Sequence, residues 1–319
     1  MPAPCQYFPF ACGRYEVKAG LHRFNADFGN GQADGRIFQI DNEFDSCRAA
    51  KLAARSKSLT RHVLTSNYPG QVATAAVKFI AQRLETEHPK HFCLLSGDGR
   101  LTLDCGLTNE QLVFDKQWQF DVNAGNIQAS PPYVSAIDAL ACQIEEDLAV
   151  TCTEGDRHWL AALHVCFPSH WSPQDKIGRT FAQLHDPVPG MESMNRQESQ
   201  FVDQMVHATD GLVRFVWGVQ MGNDLNRHPD IVDAGKTSLT LQSVETEAFV
   251  RVERQTIWGL PDVGASLFTI RPYLYRVAEL RPGLRRMLCS ALKSMTQSSL
   301  EYKGLDAYRD TLVEWLNEA

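Results

Sequence analysis

Several things this chain lacks narrow its chemistry first. Its 319 residues contain no Lys/Arg run of five or more and carry a formal net charge of −7, so neither a nucleic-acid footprint nor a polybasic membrane patch is expected. No apolar run approaches the roughly 18 residues a membrane span requires. The opening MPAPCQYFPFACGRYEVK has no basic start leading into an apolar core, which predicts a protein without a secretory leader. The nine cysteines (5, 12, 47, 93, 105, 142, 152, 166 and 289) include no CxxC pair. That speaks against a disulfide framework, a structural zinc site and a cluster held by closely spaced thiolates, and a cytoplasmic location is expected. GxSxG, HExxH and GxxxxGK[ST] are also missing, leaving hydrolysis and nucleotide binding without support. The glycines of GNGQADG (29–35) imitate a dinucleotide fingerprint, but the last spacing is one residue too long and no apolar strand precedes it. We read that stretch as a turn.

What is present is an ordinary globular composition, 44% hydrophobic and 22% charged, enough to bury one large core or two modest ones. Residues 1–45 are rich in Pro, Gly, Phe and Asn with little periodicity, and are expected to wrap over the surface. From Pro69, Val72, Ala75, Ala76, Phe79, Ile80 and Leu84 recur at helical steps until Pro89 and predict a core-facing helix. Two apolar runs around Ser-Gly-Asp-Gly in Phe92–Cys105 predict a hairpin. A second helix is expected over Val134–Leu148.

Between Asp156 and Val277 the pattern predicts strand, helix, helix and three strands. WLAALHVCF (159–167) is the first strand. A helix capped at Ser172–Pro173 should run to His185, and another from Glu192 to Ala208. LVRFVWGVQ, AFVRVERQTI and GASLFTIRPY supply the closing strands, with Leu260–Gly264 as the turn between the last two. The expected fold is α+β: an antiparallel sheet with helices over one face, leaving a cavity suited to a flat ligand. Two helices after Pro282 are expected to pack against it as support. The corresponding divisions are residues 1–150, mostly helical with a hairpin; 151–280, the sheet-and-helix core; and 281–319, the C-terminal helices.

Three histidines are candidate ligands. His185 follows Ile177 by eight residues and Leu184 by one, which places it on the apolar side of its helix. Pro187 pushes Asp186 out of the helical region, so the imidazole stands at the helix end. Such a ring can ligate a metal or haem iron, or serve structure through a backbone carbonyl. His164 lies on a strand and suits either a cavity wall or a buried structural role. His207 falls opposite the Phe201/Met205 face and should meet water. In RVERQT, Val252, Arg254 and Thr256 share one face while Arg251, Glu253 and Gln255 share the other, and one face must be solvated or functional. Arg254 and, in the next strand, Arg271 could clamp carboxylates or form cross-strand ion pairs.

The runs VCFPSHWSPQDKIGRTFAQLHDPVPG, RFVWGV with LNRHP, RVERQTIWGLPDVGASLFTIRPY and SMTQSSLEYKGL resemble the haem-dependent oxidative N-demethylase alpha-subunit-like family. The likeness runs from about residue 45 to the C-terminus and is strongest over 165–305. It implies a PAS-like haem-binding core inside N- and C-terminal helical frames. It also implies oxidation of a small secondary amine such as dimethylamine by dioxygen on haem b, with electrons originating in NADPH and delivered by partner proteins holding flavin and iron–sulfur centres. Carried onto this sequence, the resemblance makes His185 the iron ligand, Arg254 and Arg271 the propionate partners, Gln255 and Thr256 pocket residues, and Trp217 part of the lining. His164 and His207 are the alternative ligands. A haem or gas sensor without catalysis, or a haem-free scaffold, are the alternative functions. Pro272 stands where threonine is common in the family and predicts a strand edge or end.

Overall fold

In a computed structural model of the protein, residues 1–231 and 240–318 are described. Among them the strands form two antiparallel sheets, and the fold class is α+β. Strand β1 (His22–Arg23) precedes helix α1 (Phe44–His62) and strand β2 (Val63–Thr65). Helix α2 (Gly70–Glu87) then leads to a three-stranded sheet of β3 (Phe92–Gly97), β4 (Arg100–Cys105) and β5 (Glu110–Asp115). Helix α3 (Ala136–Ala141) is followed by the hairpin β6 (Asp147–Glu154) and β7 (Arg157–His164). Four short helices, α4 (Pro173–Lys176), α5 (Phe181–His185), α6 (Glu192–Asn195) and α7 (Glu198–Val206), separate β7 from β8 (Leu212–Met221). Helix α8 (Leu241–Glu247), β9 (Ala248–Leu260) and β10 (Ala265–Arg276) come next. Helices α9 (Pro282–Lys293), α10 (Gln297–Tyr302) and α11 (Arg309–Glu318) end the chain. No described helix is long and apolar enough to cross a membrane.

The main sheet has the order β1-β8-β9-β10-β6-β7-β2. Its centre is thus five strands, β8-β9-β10-β6-β7, with α4–α7 inserted after the second of them in the chain. The opening strand does not pair directly with the last one, as a four-stranded expectation would have it, because β6 lies between them. β6 runs across residue 150, so the boundary drawn there divides a strand.

Several elements follow the sequence closely. α2 buries Val72, Ala76, Ile80 and Leu84, and the 92–105 hairpin turns at Asp98 and Gly99, both with positive φ. Others correct it. The helix expected over Val134–Leu148 is confined to Ala136–Ala141, because Glu145, Glu146 and Asp147 turn inward and the chain enters β6. The helix expected from Ser172 to His185 is broken at Gly178, whose φ of 77° is left-handed; glycine adopts that conformation at little cost. The run 192–208 is likewise two helices rather than one. Residues 1–45 do not merely cover the surface: Phe10, Ile37 and Phe38 are fully buried and help fill the two large hydrophobic cores. Pro272 is where β10 loses one neighbour, since pairing to β6 stops at Ile270 while pairing to β9 continues to Arg276. The strand is locally an edge there, which removes the penalty for the missing N–H.

Register sorts the sheet's side chains into two faces. On one, Trp217, Val252, Arg254, Thr256, Thr269, Arg271 and His164 point toward the two large cores. On the other, Arg214, Arg251, Glu253, Gln255, Phe268, Ile270, Ala149 and Leu163 point toward α4–α7. Ile177 and Leu184 seat those helices on Ala149, Leu160, Leu163 and Phe268. At Gly259 the C-terminal end of α7 docks backbone to backbone: Gly259 N–H donates to Ala208 O at 3.0 Å. A Cβ at 259 would lie 2.7 Å from Ala208 N and closer still to Val206 O.

Candidate functional site

His185 ends α5 on the helix-covered face. Thr180 caps the helix in a capping box with Gln183. Its first N–H groups are held by His158 (Phe181 N to Nε2, 3.1 Å) and Glu198 (Ala182 N to Oε2, 2.8 Å). The imidazole packs on Phe181 with ring centroids 4.3 Å apart, and Phe181 stacks on Phe201 of α7 at 5.9 Å. Its Nδ1 lies 2.7 Å from Phe181 O. A carbonyl only accepts, so Nδ1 carries the proton and Nε2 presents a lone pair. Burial, and then the neighbouring Arg214 and Lys176 charges, lower its pKa against the opposing pull of Phe181 O, so the ring is held neutral. A neutral imidazole oriented through Nδ1, with Nε2 unbonded among the described residues, is the form that binds a metal.

Around it the sheet face is strongly basic. Arg214 of β8 pairs in register with Gln255 of β9. Its pKa is lowered by burial and raised by Glu253, and its Nε is buried without a hydrogen-bond partner among the described residues. Lys303, just after α10, is lowered by burial, with Glu253 raising it and Arg214 and Arg251 lowering it further. Glu253 is engaged, its Oε1 accepting from Arg251 Nε at 3.0 Å and its Oε2 from Gln255 Nε2 at 3.2 Å. Arg251 also donates to Leu225 O and Phe167 O. His170 keeps an exposed face, yet burial and the charges of Arg227, Arg251 and Lys303 bring its pKa down to about 4. His170 is also one of the few non-glycine residues with left-handed backbone, φ 62°, pinned there by Ser169, His170 and Arg227 backbone contacts. Strain of this kind gathers at functional sites.

The other residues expected at the site lie elsewhere. Arg254 is on the opposite face, donating to the carbonyls of Arg36 (2.8 Å), Ile37 (3.3 Å) and Asp34 (3.4 Å). Arg271, also opposite, pairs with Asp41 at 3.1 Å and with Glu145, and touches Cys47 at 3.2 Å. Thr256 bonds Thr269 at 2.7 Å within the buried sheet. Trp217 packs on Phe10 and Tyr15. Of the non-histidine candidates, only Gln255 shares the face of His185. His164 is fully buried behind the sheet, its Nε2 3.2 Å from Asp138, which Arg55 also grips through two 2.7 Å bonds. His164 belongs to two groups that could hold a metal, with Asp138 and Cys142 and with Asp147 and Cys166. Both carboxylates are already committed, Asp138 to Arg55 and Asp147 to the Cys166 and Phe167 N–H groups. We read the cluster as structural. His207 is exposed, as its helical phase predicted.

Arg214, Lys303 and His170 were not singled out from the sequence. The usable signal was the polar face Arg251/Glu253/Gln255; alternation alone could not say which face of β9 met the helices.

The fold and the site together define an α+β sheet protein whose helix-covered face carries a histidine oriented through Nδ1 beside two cations, Arg214 and Lys303, without an ion pair among the described residues. A family model described as haem-dependent oxidative N-demethylase, alpha subunit-like, matches residues 31–313. The chain belongs to that family, and the match begins earlier than the resemblance suggested, taking in the segment that supplies Ile37 and Phe38 to the core.

Proposed function

We propose that the protein is a haem-dependent oxidative N-demethylase of a small, dimethylamine-like secondary amine, with His185 as the iron ligand in a PAS-like core. The observation that carries this reading is the His185 imidazole: oriented by Phe181 O, its pKa lowered by burial, and its Nε2 without a hydrogen-bond partner among the described residues. In support of the PAS-like reading stand the five consecutive antiparallel strands and the helices inserted over one face. The residues present fit haem: a nitrogen ligand at a helix end, apolar Phe268 and Ile270 on the same sheet face, and cations for carboxylates. When bound, the cofactor supplies the dioxygen and electron chemistry.

The chain's own residues do the rest. Phe181 and its carbonyl hold the imidazole plane and tautomer, and second-shell bonding of this kind raises ligand basicity. Helices α4–α7 and the apolar sheet positions keep water from that side of the site, strengthening electrostatic contacts within it. Oxidation of the substrate's methyl carbon gives a carbinolamine that collapses to the primary amine and formaldehyde. Electrons from NADPH arrive through a partner with flavin and iron–sulfur centres, since the chain has no dinucleotide fingerprint or clustered thiolates of its own. A cytoplasmic location belongs to the same reading and is supported by nine free cysteines.

The test is reconstitution of the purified chain with haem. A Soret band should form, His185→Ala should abolish or shift it, and dimethylamine should drive NADPH consumption and formaldehyde release with a reductase. An unchanged spectrum in His185→Ala refutes the ligand assignment.

A further inference from the structure

We propose that Arg214 and Lys303 hold the two carboxylates of the haem, making the C-terminal helices part of the cofactor site and not only packing support. The inference rests on the haem reading. Arg254 and Arg271, the arginines first expected in this role, are spent on backbone carbonyls and on Asp41 and Glu145 across the sheet. Arg214 and Lys303 are not spent. Neither forms an ion pair among the described residues, and the Glu253 carboxylate nearest them is already bonded to Arg251 and Gln255.

The geometry brings the two cations to one face from separate parts of the chain. Arg214 and Gly218 lie on the same side of β8, four residues and so about 13 Å apart along an extended strand. Lys303 crosses to that face over Gly218: its Cδ is 3.7 Å from where a Cβ at 218 would stand. The turn that delivers it follows α10, capped at Thr296, and ends on Gly304 with φ 65°.

Two like charges desolvated together disfavour the ligand-free protein, and an anion arriving between them removes that cost. An arginine fork and a lysine point charge suit a pair of flexible carboxylates. Arg227 lies on the same side, near enough with Lys303 and Arg251 to act on His170, and its Nε is buried without a hydrogen-bond partner among the described residues.

The experiment is an absorbance titration of the full chain with haem and with haem dimethyl ester, whose carboxylates are masked. The wild type should bind haem on the order of 100-fold more tightly than the ester, from two charge-assisted contacts worth about 10-fold each. Arg214→Met and Lys303→Met should each weaken haem about 10-fold and leave ester binding unchanged. Equal binding of haem and ester by the wild type, or variants that weaken both ligands alike, would overturn the inference alone. Absence of any Soret band in the wild type overturns the haem reading and this inference with it.

Discussion

Exchanging the two kinds of arginine should separate structure from site. Arg271 is 2% exposed and serves two buried carboxylates, Asp41 and Glu145, besides touching the Cys47 thiol. Arg271→Met keeps the volume and removes the charge, leaving both acids in the core without their cation. Breaking a buried pair from one side costs about 3–5 kcal/mol, a large part of the roughly 5–15 kcal/mol that holds a domain together. Arg214→Met removes a desolvated cation that has no ion-pair partner among the described residues, so the ligand-free protein should lose less than about 1 kcal/mol or gain slightly. Equilibrium urea unfolding of the haem-free variants measures both. Arg271→Met should lower the midpoint markedly at unchanged slope, and Arg214→Met should leave it near wild type. The reasoning fails if Arg271→Met is as stable as wild type and instead loses haem, for that would put the carboxylate clamp on the face where the sequence alone first suggested it.

Two further outcomes follow from packing and titration. Gly259→Ala drives a methyl group into the backbone of Val206 and Ala208, and should cost about 1–3 kcal/mol by overpacking, with a lowered melting temperature; an unshifted melt would mean that α7 is not docked there. Burial lowers His62 to about 4, with His164, His228 and Arg61 acting in the same sense and the Val165 carbonyl against it. Its folded pKa is below the ordinary value near 6.5, so the unfolded chain takes up a proton the folded one refuses. Stability from this group is complete above about pH 6.5 and drains away toward pH 4, by about 1.4 kcal/mol per pH unit. Glu87, raised by burial to about 7, acts in the opposite direction, so the measurement is a difference: His62→Gln should show a shallower loss of stability than wild type between pH 6.5 and 4. Parallel profiles would refute a buried neutral His62.

Much of this architecture could be read from spacing because its inward faces are apolar. α2 and the 92–105 hairpin are of that kind. What could not be read is where charge turns inward. α1 buries Lys51 and Arg55, the first donating to Ala141 O and Glu146 O and the second gripping Asp138; on a helical wheel such residues count as solvent-facing, so the helix leaves no apolar stripe. The acidic run Glu145–Asp147 is fully buried for the same reason, with N–H donors from Gln39, Asp41, Cys166 and Phe167. It reads as a helix surface and is a strand entry.

The site shows the same limit in sharper form. Period-two alternation assigns Arg254 and Arg271 to one side of β9 and β10, and Arg251, Glu253 and Gln255 to the other, without saying which side faces α5. That depends on where residues 1–45 lie, and it is Arg36 and Ile37 from this weakly patterned stretch that take up Arg254. Once the N-terminal segment fills one side of the sheet, its arginines become core cations satisfied by carbonyls and acids. The cations left unsatisfied then have to be on the other side, with His185. A site of this kind is recognised less by which polar residues it contains than by which of them the rest of the fold has failed to neutralise.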